Sequence, residues 1–189
     1  DIFFATAFAG RASFAANILA LQAAGADVIV DDVGYFASPV FQDGIIAQAV
    51  DTVAALGVPY FSSAGNSGNK NDGTSGVFEG TYLPGAAAVT PSWSSCHNFG
   101  GGAVTNQLTQ GSSIYTLQWA EPQGGSFTDY DLFLVNATLS ELLASSTTTQ
   151  NGTQDPFEWI GGIGAGDTGA QLIVCLKTAS PSSTNRFLH

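Results

Sequence analysis

The stretch Gly57-Val58-Pro59-Tyr60-Phe61-Ser62-Ser63-Ala64-Gly65-Asn66-Ser67-Gly68 sets the first expectation for the fold. Its first half is a short apolar run that reads as a buried strand. Its second half turns at once to small and polar residues. Small side chains at a strand end let another backbone come close, and an Asn carboxamide just beyond can offer its N–H groups to a developing negative charge. The same residues also suit an ordinary Gly/Asn/Ser turn after a strand. The flanking sequence bears on the choice.

Upstream, Ile2-Phe3-Phe4-Ala5-Thr6-Ala7-Phe8 is an apolar run of the kind expected for a parallel strand covered on both faces. Ser13 is placed to cap a helix with Phe14, Ile18 and Leu21 at helical spacing, and Gly25 closes it. Val28-Ile29-Val30 reads as the next strand. Asp43 or Gly44 opens a second helix, with Ile45, Ile46, Ala49, Val50 and Val53 on its buried side and Gly57 as its stop. Residues 58–62 make the third strand. This alternation predicts an α/β parallel sheet over residues 1–91, with right-handed crossovers. Ligands of such sheets sit beyond the carboxyl ends of the strands, where Asp31, Asp32 and Asn66 fall.

After Pro91 the texture changes. Alternating hydrophobicity replaces helical periodicity, and Gly, Ser and Thr interrupt it every eight to twelve residues or so. Residues 113–119, 129–135, 142–148, 156–160 and 170–178 read as strands. Tyr115, Leu117 and Trp119 share one face of the first, and Tyr130, Leu132 and Leu134 share one face of the second. The expectation for residues 92–189 is an all-β antiparallel sandwich of jelly-roll type.

The first half resembles the middle of a subtilisin-like serine protease, or subtilase. In that family a strand walls the primary specificity pocket, a helix follows, and a second strand runs into a loop whose Asn supplies the oxyanion hole. Val50-Asp51-Thr52-Val53-Ala54-Ala55-Leu56-Gly57-Val58 resembles the helix, and Ala64-Gly65-Asn66-Ser67-Gly68 resembles the loop. Residues 1–8 look like the preceding family strand. The resemblance implies that Asn66 is the oxyanion donor and that Asp32, Val33, Gly34, Ser63, Ala64 and Gly65 line the substrate site. Asp32 stands where the family usually has Ser, and Tyr35 replaces a Gly. A carboxylate at position 32 would attract a basic substrate side chain, bind a metal or hold the loop, and Asp31 or Asp32 would equally serve to cap local backbone N–H groups.

A subtilase also needs an Asp, a His followed by Gly-Thr, and a Ser preceded by Gly-Thr. The chain has His97 and His189, and neither has that context. Ser75 follows Gly-Thr but comes too soon after Asn66 and runs into Gly76-Val77-Phe78, so it is rejected as the nucleophile. The expectation is a core segment with both catalytic ends outside the chain, inactive by itself. No Met is present and the first residue is Asp1, which fits that reading. The second half resembles, more loosely, the bacterial pre-peptidase C-terminal type of β-sandwich, through Thr128-Asp129-Tyr130-Asp131-Leu132-Phe133-Leu134, Ser145-Ser146 and residues 170–174. An insertion between the Asn loop and the missing Ser segment is expected, with its two ends close together.

Across 189 residues, 4 Lys and Arg oppose 15 Asp and Glu, for a net charge of −11. Such a surface repels phosphates, so neither nucleic acid nor a membrane is expected as a partner; a peptide or protein substrate is. No apolar run approaches the roughly 18 residues that span a bilayer. Few lysines with abundant Ser, Thr, Gly and Asn suggest a secreted, extracellular protein. Cys96 and Cys175 allow either one disulfide or two buried thiols. No cofactor is expected. A Ca²⁺ site at Asp129 and Asp131 would need help from Asp155 or Asp167; the other reading of that pair is a solvated strand edge. Cys96 and His97 are too few for zinc. The alternative to a protease segment is a non-catalytic binding or structural module.

Overall fold

A computed structural model describes residues 1–86, 95–161, 168–178 and 186–189. The chain divides into two compact units, Asp1–Val77 and Phe78–His189. The boundary expected at residue 91 lies outside the described residues.

The first unit holds α1 (Arg11–Ala23), β1 (Ile29–Asp31), α2 (Ile45–Ala55) and β2 (Tyr60–Ser62). Gly10, not Ser13, stands at the N-cap of α1, without a side-chain capping bond. Helix α2 starts after Gly44 and ends where Gly57, at φ 86°, turns the chain back. Only a residue without Cβ takes that turn at no steric cost. The N–H groups of Leu56 and Val58 both reach the Val53 carbonyl and close the helix end. The helices pack on each other and on one side of the two strands, burying Phe14, Ile18, Ile29, Val53 and Val58.

The expected α/β parallel sheet is not formed. Strands β1 and β2 are a two-stranded parallel ladder of three residues each, and every other ladder among the described residues is antiparallel. Residues 2–8 are not a strand. Ile2, Phe4 and Phe8 are 99%, 91% and 92% exposed, with no ladder partner. Apolar content marked that run as a strand, but a strand also needs a neighbouring edge to satisfy its backbone, and none is paired with it.

The second unit contains β3 (Gly80–Thr81), β4 (Ser95–Cys96), β5 (Asn106–Gln107), β6 (Ile114–Gln118), β7 (Asp129–Val135), β8 (Leu142–Ser146), β9 (Phe157–Gly161), β10 (Gln171–Thr178) and β11 (Phe187–Leu188). One sheet runs β4-β10-β7-β8, with β5 also on β10. Against it lie the β6–β9 and β3–β11 pairs, joined through the Trp119–Leu188 bridge. Tyr82, Tyr115, Leu117, Trp119, Ile160 and Leu188 face Tyr130, Leu132, Leu134 and Val174 across a common core. The alternation of β6 and β7 explains this, because every second side chain reaches the same layer. The antiparallel expectation for this half therefore agrees with what is seen in part: two layers are present, built from shorter strands than a full jelly roll.

Strand β7 is buried along its whole length. Phe133 and Val135 pack on its other face with Cys96, Ile173 and Cys175. Cys96 and Cys175 are opposite one another on β4 and β10 and form a disulfide. Strands β3 and β11 are paired, Thr81 with Phe187 and Gly80 with Leu188.

Candidate functional site

The sequence-predicted site lies where β1 and β2 end. Ile29 pairs with Tyr60, Val30 with Phe61 and Asp31 with Ser62, so residues 32–34 and 63–66 leave the ladder side by side at the same end. The Ser63 N–H donates to the Asp31 carbonyl at 3.2 Å and extends the pairing by one step. Asp32, Gly34, Ser63, Ala64, Gly65 and Asn66 are all exposed, and Val33 is half-buried. Gly65 sits at φ 73°, a left-handed conformation that turns the chain just before Asn66.

Asp31 holds the two strand ends together. One carboxylate oxygen accepts from the Ser62 hydroxyl at 2.8 Å and from the Val33 N–H at 3.3 Å, and the other accepts from the Tyr60 hydroxyl. Burial, the hydrogen bond to Asp31 and the charge of Asp31 all push the Tyr60 phenol well above its usual range, so it stays a donor. Of the readings open for the acidic pair, Asp31 takes the backbone-capping and loop-holding one. Asp32, next along, extends into solvent.

Beyond Asn66 the loop ties itself. The Asn69 carbonyl accepts from the Thr74 N–H at 3.1 Å, the Asn69 side chain bonds Asp72, and the Gly76 N–H reaches the Ser67 carbonyl at 3.1 Å. Gly68 is needed there, because a Cβ would meet the Thr74 carbonyl oxygen at 2.1 Å. Ser75 Oγ accepts from the Val77 N–H at 3.2 Å. Both histidines belong to the other unit. The first unit thus supplies backbone, a carboxamide and a carboxylate, with no imidazole to activate a nucleophile.

The acidic pair Asp129 and Asp131 is not a solvated strand edge: the residues are 2% and 0% exposed. Burial raises the Asp129 carboxyl, partly offset by Lys177 at 3.7 Å and by the Gln150 N–H. Asp155, a candidate further ligand, accepts from the Gly124 N–H at 2.8 Å, and Asp167 lies outside the described residues. Among the described residues no group of three or more His, Cys, Asp or Glu is placed to hold a metal ion. Cys96 is spent in the disulfide, and His97 is a packed core residue.

Sequence reasoning missed the densest polar cluster. Glu121 accepts from Trp119 Nε1 at 3.1 Å, Ser126 Oγ at 2.6 Å, the Thr128 N–H at 2.9 Å and Thr128 Oγ1 at 2.8 Å, and it pairs with Arg186 at 2.7 Å. Burial raises its carboxyl, but the hydrogen bonds from Ser126, Thr128 and Trp119 outweigh it and leave the group below the usual range. These hydrogen-bond donors lie within seven residues of it, between Trp119 and Thr128, and its ion-pair partner Arg186 comes from a distant segment that the local sequence does not announce. No protein-family model, no curated protein and no solved structure matches the chain.

Proposed function

We propose that this chain is a segment of a secreted, subtilisin-like serine endopeptidase, in which Asn66 donates to the oxyanion of the tetrahedral intermediate. Asp32, Val33 and Gly34 and, opposite them, Ser63, Ala64 and Gly65 form the walls along which a peptide substrate lies. Their exposed backbone pairs with it as an added strand. The nucleophile, base and orienting carboxylate of the reaction are not supplied by these residues, and the chain alone does not hydrolyse peptides. The observation that carries the reading is the parallel β1–β2 register, which brings the loop of residues 32–34 beside the Asn66 loop at one end. The reading rests on those two loops and not on a parallel sheet.

One further observation supports it. The Cys96–Cys175 disulfide fits an oxidising compartment.

The test has two parts. The chain alone, given a generic peptide substrate, shows no turnover; sustained turnover abolished by a serine-reactive inhibitor sinks the segment reading. In the complete protein, with an Asp and a His-Gly-Thr motif upstream and a Gly-Thr-Ser motif downstream, Asn66→Ala lowers kcat by about 10²–10³ with little change in KM, a magnitude taken over from subtilisin itself. Absence of those flanking motifs would favour the second reading, a non-catalytic binding module. The observation in favour of that reading is the local engagement of Ser75 in a unit without histidine.

A further inference from the structure

His97 is 1% exposed and stands at the centre of the second unit's first corner. Residues 78–85 pass over it. The Leu83 N–H donates to His97 Nδ1 at 3.0 Å, the Asn98 N–H returns to the Leu83 carbonyl at 2.8 Å, and the Gly85 N–H reaches the Cys96 carbonyl at 2.8 Å. Phe78 and Phe99 meet the ring edge-on at centroid distances of 5.3 and 4.6 Å, and Tyr82 lies at 5.5 Å. Because Nδ1 accepts, the ring proton of the neutral imidazole sits on Nε2, which has no hydrogen-bond partner among the described residues. A second proton would turn Nδ1 into a donor facing the Leu83 N–H, and would bury a cation among aromatic rings.

We propose that residues 78–85 form an acid-sensitive latch, closed only while His97 is uncharged. The closed latch keeps β3 on β11 and covers the core at Tyr82. From β10 the Val174 carbonyl accepts the His97 backbone N–H at 2.7 Å and brings no charge. The Tyr82 phenol is raised by burial and stays neutral in acid. The charged group on the latch itself is Glu79, paired with His189 at 2.9 Å; beside it stands Arg186, whose carbonyl accepts the Tyr82 N–H and whose guanidinium pairs with Glu121. Burial alone lowers the His97 imidazole below its ordinary value. The linkage has a definite sign: an open latch takes up a proton below about pH 6.5 and the closed one does not, so the closed form loses ground as pH falls.

Amide hydrogen exchange of the intact chain, corrected for the intrinsic pH dependence of exchange, tests this. Opening at Leu83 is expected to rise on the order of tenfold per pH unit below about 6.5, while Leu132 on β7 and Val174 on β10 keep their protection. His97→Asn places a carboxamide oxygen near the Nδ1 position without a titrating group, and its Leu83 protection is expected to be flat over the same range. An equal fall in the Asn variant assigns the sensor to a group other than His97 and overturns the proposal, as does flat protection in the native chain. If the variant does not fold, the ring-carbon shifts of His97 decide. A midpoint near 6.5 with Leu83 still protected overturns the latch; proton uptake coincident with loss of Leu83 protection supports it.

Discussion

In the second unit, β7 is covered on both sides, with Tyr130, Leu132 and Leu134 in one cluster and Phe133 and Val135 in another. In the first unit, Val30 and Phe61 stand in solvent on adjacent strands, and residues 2–8 join no ladder among the described residues, their carbonyls at Thr6 and Ala7 accepting only from the side chains of Asn17 and Tyr35. Both stretches are similarly apolar in sequence. The difference lies in the number of neighbours. Strand β7 has β10 on one edge, β8 on the other and a second layer above it. Among the described residues, strands β1 and β2 have only each other as ladder partners, with two helices packed against them. A two-stranded ladder is marginal alone, and here five of the seven buried residues of the cluster, Phe14, Ala15, Ile18, Ala49 and Val53, come from α1 and α2. Apolar sequence is thus a request for cover, and only the number of available edges and layers decides whether it is met.

The largest effect expected from breaking this contrast is on the covered unit. The Cys96–Cys175 bond closes a separation of 79 residues. Replacing both cysteines with Ser is expected to cost the second unit about 4 kcal/mol by the chain-entropy argument. The first unit has no cysteine and is expected to be unchanged. Thermal unfolding followed by probes specific to each unit checks this; an equal loss in both would show that the units unfold together.

Next comes a comparison inside the second unit. Glu121 and Glu158 are both buried, yet Glu121 is pulled below the usual carboxylate range and Glu158 is pushed above it. Burial dominates at Glu158 because Ser146, Gln150 and the Thr148 N–H offset it only in part, and Asp129 adds repulsion. Glu121→Gln is expected to cost about 3 kcal/mol at neutral pH, since it leaves Arg186 without its charge partner. Glu158→Gln is expected to change stability by about 1 kcal/mol or less in either direction. The pH dependences differ in sign. Stability from Glu121 is present above about pH 4.5 and is lost as pH falls through its lowered folded value. Glu158 is protonated more readily in the folded state, so its burial penalty is relieved as pH falls from neutral. Denaturant unfolding between pH 3 and 8 resolves the two, and a similar loss in both variants would break the distinction.

The smallest expected effect sharpens the contrast from the other side. Phe4→Ser, on a side chain already in solvent, is expected to change the first unit by less than about 0.5 kcal/mol. A loss above about 1 kcal/mol would mean that residues 2–8 are paired and covered after all.

Much of the local structure was legible. Helices α1 and α2 lie close to the predicted stretches because Phe14 with Ile18, and Ala49 with Val53, repeat at helical spacing and face the core. Strand β7 matches its predicted limits because the alternation of Tyr130, Leu132 and Leu134 serves the core layer. The turn before Asn66 was visible in Gly65. What failed needed distant partners: the parallel sheet depended on residues 2–8 finding an edge, and the solvated reading of Asp129 and Asp131 ignored the cover over β7.

By itself, then, the sequence determined periodicity, chain reversals and the sign of the surface charge, since each depends on residues a few positions apart or on composition alone. Tertiary structure alone decided that Asp31 meets Tyr60 and Ser62 across the β1–β2 ladder, that Cys96 meets Cys175, and that Glu121 meets Arg186. It also decided that His97 accepts the Leu83 N–H inside an aromatic cage. Each of those outcomes is a contact between segments far apart in the chain, chosen by register and by which surfaces remain to be covered once the local elements have formed.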